Sequence, residues 1–256
     1  MDNEQTLRRD RLIIFGLALI VRVIAALPQA QPNYMDAAYY TVGGQRLAHG
    51  FGFNDPYVWN YLDQPASLPH PSHLYWMPLP SILVAVSESI FGVGYRAAQL
   101  PFILLSAFLP LITFVVAWRI THSRRAAWIG ALLTIFSGFY LPYWGVPESF
   151  APFAVFGSLA IYLAVDPSPR WKLLTAGACA ALAHLSRADG VLLLLPMLPI
   201  QVRAAGRGVG EENVRRKFPP YYSAFIFIIA GYLLIMSPWF IRNIITIGAP
   251  LSPAGT

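Results

Sequence analysis

The run Ala97-Ala98-Gln99-Leu100-Pro101-Phe102-Ile103-Leu104-Leu105-Ser106-Ala107-Phe108-Leu109-Pro110-Leu111-Ile112-Thr113-Phe114-Val115-Val116-Ala117-Trp118 has no charged residue from end to end. It stops at Arg119, with Arg124 and Arg125 close behind. A helix of this length is long enough to cross the hydrocarbon of a bilayer, which takes about 20 apolar residues. The basic cluster after it marks the cytoplasmic side, because inner loops carry the excess of Lys and Arg.

The whole chain has the same character. It is 56% hydrophobic and 12% charged, against about a quarter charged in soluble domains, and its mean hydropathy is +0.53. An integral membrane protein is expected. The formal charge of +6 comes from short basic segments between apolar runs, a pattern of membrane topology, so no nucleic-acid partner is expected. Cys179 is the only cysteine and lies in an apolar run. That excludes a disulfide framework and a thiolate metal cluster. No Gly-rich phosphate loop and no Asp-x-Asp occurs, which argues against a nucleotide-sugar donor.

Residues 1–11, with Arg8, Arg9 and Arg11, read as a cytoplasmic tail, and 12–28 as an uncleaved first span. Arg22 within it pairs inside the bundle or snorkels. The segment 74–93 holds Pro78, Pro80 and Glu88. Counted as a span it would turn Arg119, Arg124 and Arg125 to the outside, so it reads as a juxtamembrane or re-entrant helix. Further spans are then expected over 97–118, 126–142, 150–165, 171–185, 189–202 and 220–241. A single helix over 172–202 would bury Arg187 and Asp189 near mid-span, at about 2.5–3.5 kcal/mol each. It would also move the basic residues of 203–217 outside, so a hairpin with its tip outside is expected instead. The fold class expected is all-α and polytopic, with seven spans in one membrane domain. An extracytoplasmic loop occupies 29–96, an open extracytoplasmic end occupies 242–256, and the plasma membrane is the expected location.

The stretch from Asn33 to Trp76 is the long polar interval of the first two hundred residues. It holds three of the twelve acids (Asp36, Asp55, Asp63) and three of the five histidines (His49, His70, His73). If a helix starts at Asp36, Tyr39 and Tyr40 fall one turn on, beside the carboxylate. Under this topology Asp36, His70, His73, Glu148, Arg187, Asp189 and Arg242 all fall on the extracytoplasmic side.

Three segments carry a resemblance: Asp36-x-x-Tyr39-Tyr40 after the first span, Pro69-His70-Pro71-x-His73-Leu74-Tyr75, and Ser186-Arg187-Ala188-Asp189-Gly190 between two apolar runs. Together they resemble the type-C glycosyltransferases, in the lipid-phosphate-sugar-dependent branch of protein O-mannosyltransferases and aminoarabinose transferases of lipid A. Many members of that branch have Asp-Glu where this chain has Asp36-Ala37. The resemblance implies transfer of a sugar from a polyprenyl-phosphate donor to an extracytoplasmic acceptor. It also implies a shared seven-helix module, of which this chain would be the N-terminal part alone, completed by a missing C-terminal half or another membrane subunit. The remaining partners expected are the donor lipid and membrane lipids, with no cofactor and no metal. A non-catalytic subunit that keeps this fold as a scaffold is the alternative.

Each candidate has a chemical reading and a plainer one. Asp36 is a general base for the acceptor's proton or a helix N-cap. Glu148 orients the acceptor or holds a cation, or it is a first-turn acid offsetting a helix dipole. Tyr39 and Tyr40 line a substrate groove or belong to an aromatic belt. His70 and His73 contact substrate; two histidines without a third ligand make a poor metal site. Arg187 and Arg242 hold the donor phosphate, unless Arg187 pairs with Asp189 and Arg242 anchors a helix end.

The orientation is checked with single cysteines and an impermeant thiol reagent. A cysteine at Asn60 should react from outside and one at Ser123 should not; the reverse pattern would overturn the topology.

Overall fold

The computed structural model describes residues 2–59, 65–166, 169–207 and 220–251. Tyr61 and Asp63, the labelling position Asn60, most of the basic segment 203–217 and the last residues of the expected open end lie outside them. The helices are α1 (Asp2–Ala26), α2 (Met35–Ala48), α3 (Leu79–Phe91), α4 (Tyr95–Thr121), α5 (Arg124–Ile135), α6 (Phe150–Ala164), α7 (Arg170–Ser186), α8 (Leu194–Arg207) and α9 (Pro220–Ile247). Two 3-10 turns, Gly138–Tyr143 and Ala188–Leu193, precede α6 and α8. A minimal antiparallel pair, β1 (Asn54–Asp55) and β2 (His70–Pro71), closes the α2–α3 connection. The chain is all-α in class.

Two described helices are long and apolar enough to cross a membrane, Tyr95–Thr121 with 27 residues and Tyr222–Ile247 with 26, where seven spans were expected. Leu79–Phe91, Phe150–Ala164 and Ala188–Val202 are apolar but shorter. The expected boundaries shift for local reasons. The 1–11 tail is already helical from Asp2, and the charges Arg9, Asp10, Arg11 and Arg22 interrupt the apolar surface of α1. The run expected over 126–142 leaves the α-helix at Ile135, because Gly138 takes a left-handed φ of 55° and Pro142 removes a donor. The final helix runs past 241 to Ile247, so Arg242 lies inside a helix and not in an open end. The break expected at Arg187–Asp189 is present: Arg187 is extended, with φ −149° and ψ 136°.

The chain divides into two compact units, Met1–Ser72 with Pro78–Val155, and His73–Met77 with Phe156–Thr256. In the first unit α1, α4 and α5 enclose a core of Ile14, Ala18, Ala107, Phe114, Ala127, Ala131 and Ile135. The Asp10 carboxylate accepts two hydrogen bonds from Arg124, at 2.5 and 2.7 Å, and ties α1 to α5. Helices α2 and α3 approach through Gly44, where a Cβ would stand 2.4 Å from Val84. Their contact is fixed by Ser81 Oγ donating to the Tyr40 carbonyl at 3.1 Å.

In the second unit α7 crosses α9 at backbone contact. A Cβ on Gly177 would lie 1.8 Å from the Ile228 carbonyl oxygen, and one on Gly231 would lie 1.9 Å from that of Leu174. Small residues at such crossings let helices pack where no water-driven force assembles them. Beside the crossing, His184 Nδ1 and the Tyr232 hydroxyl share a hydrogen bond of 2.5 Å between buried side chains.

These crossings give a stability test. Gly177→Ala and Gly231→Ala force α7 and α9 apart, and overpacking of this kind destabilises by about 1–3 kcal/mol or more. Gly16→Ala, with nothing within 4 Å of its added Cβ, should be neutral or slightly stabilising. Thermal unfolding in detergent measures all three; equal behaviour of the three variants would contradict the packing.

Candidate active site

The end of α1 and the start of α2 are held by a set of helix-end contacts. Arg96 donates to the carbonyls of Ala26 and Leu27, at 2.9 and 2.7 Å. Gln29 Nε2 donates to the Pro142 carbonyl at 2.6 Å, fastening this connection to the 3-10 turn before α6. From that turn the chain runs Trp144-Gly145-Val146-Pro147-Glu148. Trp144 donates from Nε1 to Ser137 Oγ at 2.6 Å, with the Arg22 guanidinium 5.5 Å from its ring. Gly145 passes so close to α1 and α4 that a Cβ would stand 3.1 Å from Ala26 Cβ and 3.2 Å from Ile103.

This places Glu148 near Tyr34 and Asp36. Tyr34 is the N-cap residue of α2, extended at φ −155° and ψ 168°, with no side-chain cap. Asp36 is therefore not the cap; it lies in the first turn, half-buried, where a negative charge suits the helix dipole. Glu148 is 3% exposed, and its Oε1 accepts from the Ser149 amide at 2.6 Å. Its Oε2 and the Tyr34 hydroxyl are both buried, and the two groups shift one another's titration through charge and a hydrogen bond. The Tyr143 ring stands edge-on to Tyr34, centroids 5.8 Å apart.

Burial pushes Glu148 above the usual carboxylate range and the charge of Asp36 adds to this, while hydrogen bonds from Ser149 and Tyr34 oppose it. Burial, then the charge of Glu148, pushes the Tyr34 phenol well above its ordinary value, so it keeps its proton. The site thus combines one half-buried carboxylate, one buried acid and one phenol donor. Such a set can take a proton from a substrate hydroxyl and bind others.

The remaining candidates in the first unit have other duties. Tyr39, 2% exposed, donates its hydroxyl to Asp55 Oδ2 at 3.2 Å, and Tyr40, equally buried, packs edge-to-face on it at 5.8 Å. Both brace α2 instead of lining an open groove. His70 pairs with Asp55 across the β1–β2 bridge, and its Nε2 donates to the Tyr57 carbonyl at 2.9 Å.

His73 belongs to the second unit. It is 3% exposed with a left-handed φ of 58°, a conformation that a non-glycine residue holds only under constraint. Burial, with the Arg242 charge, lowers it to about 3, which keeps the imidazole neutral. Arg242 itself lies over the Trp239 ring at 4.8 Å and donates to Asn243 Oδ1 at 3.0 Å. Arg187 and Asp189 form the local pair, at 3.1 and 3.5 Å. With side chains 41% and 51% exposed, solvent screens that pair and its contribution is small. Among the described residues no three or more of His, Cys, Asp and Glu gather as a metal-holding group.

Sequence reasoning missed Tyr34, Tyr143 and Arg96. A phenol two residues before an acid carries no periodic signal, and the arginine's partners are backbone carbonyls about seventy positions away. No family model matches the chain, and searches of curated proteins and of solved structures return no similar protein.

Glu148 sets a pH dependence. The native state holds its proton more tightly than the unfolded chain, so the stability it contributes is complete below its ordinary value of 4.5 and is lost as pH rises through its raised native value. Glu148→Gln cannot ionise. The unfolding temperature of this variant should match wild type near about pH 4 and exceed it increasingly towards about pH 8. Parallel curves for the two proteins would contradict a buried, proton-favouring Glu148.

Proposed function

We propose that this chain is a membrane glycosyltransferase module that transfers a sugar from a polyprenyl-phosphate donor to an acceptor on the extracytoplasmic side. The acceptor oxygen attacks the anomeric carbon and its proton passes to Asp36. The bond from that carbon to the phosphate oxygen breaks, and the lipid phosphate leaves with the electron pair. Glu148 orients the acceptor for Asp36. From the sequence reading alone, Arg187 and Arg242 are the candidates for the phosphate, since a guanidinium fork matches its oxygens and stabilises the charge that develops on it. His73, neutral and beside Arg242, is a further contact for the same group.

The observation that carries the reading is the approach of the Pro142–Glu148 segment to the α1–α2 connection, through Gln29 and the Pro142 carbonyl and through the Tyr34 and Tyr143 rings, which brings Glu148 within reach of the charge of Asp36. The resemblance of the Asp36, His70 and Arg187 segments to lipid-phosphate-sugar-dependent transferases supports it independently. For the membrane, support comes from the two long apolar helices and the basic segments between apolar runs. The seven-span arrangement with a cytoplasmic N-terminus belongs to the same proposal, its shorter helices tilted or set in a thinned, wet region.

The test compares two variants in donor binding and in transfer. Asp36→Asn keeps the shape but cannot take the proton, so turnover should fall by about two to four orders of magnitude with donor binding kept. Arg187→Ala should weaken donor binding as well as turnover, because it removes a contact present in both ground and transition states. If the wild type transfers nothing and neither change alters donor binding, a scaffold subunit replaces the enzyme.

A further inference from the structure

The Asp10–Arg124 pair sets α1 and α5 at one level at the basic end of the first unit, with Arg124 Nε and Nη2 2.5 and 2.7 Å from the carboxylate. Both helices start from this end and α4 finishes there, Trp118 and Trp128 packing on the same core as Leu7. Arg8, Arg9, Arg11, Arg119 and Arg125 are exposed around the pair. The Asp10 charge is taken up by Arg124, while Asp2 and Glu4 lie further out along α1. Cations therefore prevail at this level.

The surface one turn inward is apolar. Residues four apart are neighbours on a helix, and Leu12, Ile13 and Ile129, all exposed, follow Arg8, Arg9 and Arg125 at that spacing. The strips continue to Ile20 and Ile24 on α1 and to Leu133 on α5, exposed as well. A nucleic acid or an acidic protein would match the arginines and leave these strips in water. A phospholipid matches both, its phosphate meeting the guanidinium and its acyl chains covering the strip. A zwitterionic headgroup would bring a cation of its own among the arginines, so an anionic one fits better.

We infer that Arg8, Arg9, Arg11, Arg119 and Arg125 form a belt that binds the headgroups of anionic phospholipids, whose chains lie on the apolar strips of α1 and α5. The inference rests on the membrane part of the reading above and is independent of the sugar transfer. It assigns a lipid class to one end of the first unit, remote in sequence from Asp36 and Glu148.

The test reconstitutes the full chain in phosphatidylcholine vesicles and compares quenching of its tryptophan fluorescence by brominated phosphatidylglycerol and by brominated phosphatidylcholine. At low salt the wild type should favour the anionic lipid by about tenfold, since each arginine near the surface contributes to the attraction. Salt of about 1 M should remove most of this preference, because it shortens the Debye length to about 3 Å. Arg9→Gln combined with Arg125→Gln should bring the two lipids close to parity, and Arg8→Gln combined with Arg11→Gln should act in the same direction. Neither pair should lower the unfolding temperature in neutral lipid, because these side chains are exposed. Glycerol 3-phosphate, a phosphate without chains, should not displace the brominated phosphatidylglycerol. Equal quenching by the two lipids in the wild type, or an unchanged preference in both double variants, overturns the belt. So does displacement by glycerol 3-phosphate, which would mean a site for free phosphate, or earlier unfolding of both double variants in neutral lipid, which would make the arginines structural. If neither brominated lipid quenches, the chain is not in the bilayer, and the membrane reading itself fails together with the belt.

Discussion

Arg22 is a guanidinium with no solvent exposure, set in the middle of an otherwise apolar helical surface. Burying a charge in apolar surroundings is strongly unfavourable unless its donors are matched. Here Nη1 donates to the Ile135 carbonyl at 2.8 Å and Nη2 to that of Thr134 at 3.0 Å. These are carbonyls of the last turn of α5, which lack partners within their own helix and carry the negative end of its dipole. The same guanidinium covers the Trp144 ring. One side chain of α1 thereby ends α5 and fixes the turn that leads to Glu148. Arg96 serves the end of α1 in the same way. The site is built where these two capped helix ends bring the α1–α2 connection to the Trp144–Glu148 segment.

The two units hold together by different means. The first relies on charged side chains satisfying helix ends and on the Asp10–Arg124 pair, where two hydrogen bonds converge on a carboxylate that is 1% exposed and sits below its ordinary range. The second relies on the absence of side chains, with Gly177 and Gly231 each facing a backbone carbonyl of the opposing helix.

Much of this was legible in the sequence because it is set by local chemistry. The all-α class follows from long apolar runs punctuated by proline, glycine and arginine, and the break at Arg187–Asp189 follows from two charges in such a run. Asp36 and Glu148 stand out as acids beside apolar segments. What could not be read depends on partners distant along the chain. Arg22 had two alternatives, pairing or snorkelling, and only the α5 carbonyls more than a hundred residues away decide for pairing. His70 and His73 are three residues apart in sequence yet divide between two units, because the chain leaves the β1–β2 bridge and turns through a left-handed His73. Tyr39 carries the same side chain as Tyr34, but its hydroxyl goes to Asp55 while that of Tyr34 faces Glu148. Helix lengths were misjudged where hydropathy continues past a backbone break, as at Ile135, or where a polar residue does not end a helix, as at Arg242.

The most direct measurement is proximity across the site. With Cys179 replaced by alanine, Tyr34→Cys and Glu148→Cys are joined by a short bismaleimide in membranes, and the cross-linked product is followed by its shift on denaturing gels after cleavage at an engineered site between the two positions. With Arg22 intact the two segments should cross-link readily, and with Arg22→Met, which leaves the α5 carbonyls unmatched, the yield should fall sharply. No cross-link in the Arg22 protein would contradict the shared site of Tyr34, Asp36 and Glu148, and an undiminished yield in Arg22→Met would contradict the part assigned to the buried guanidinium.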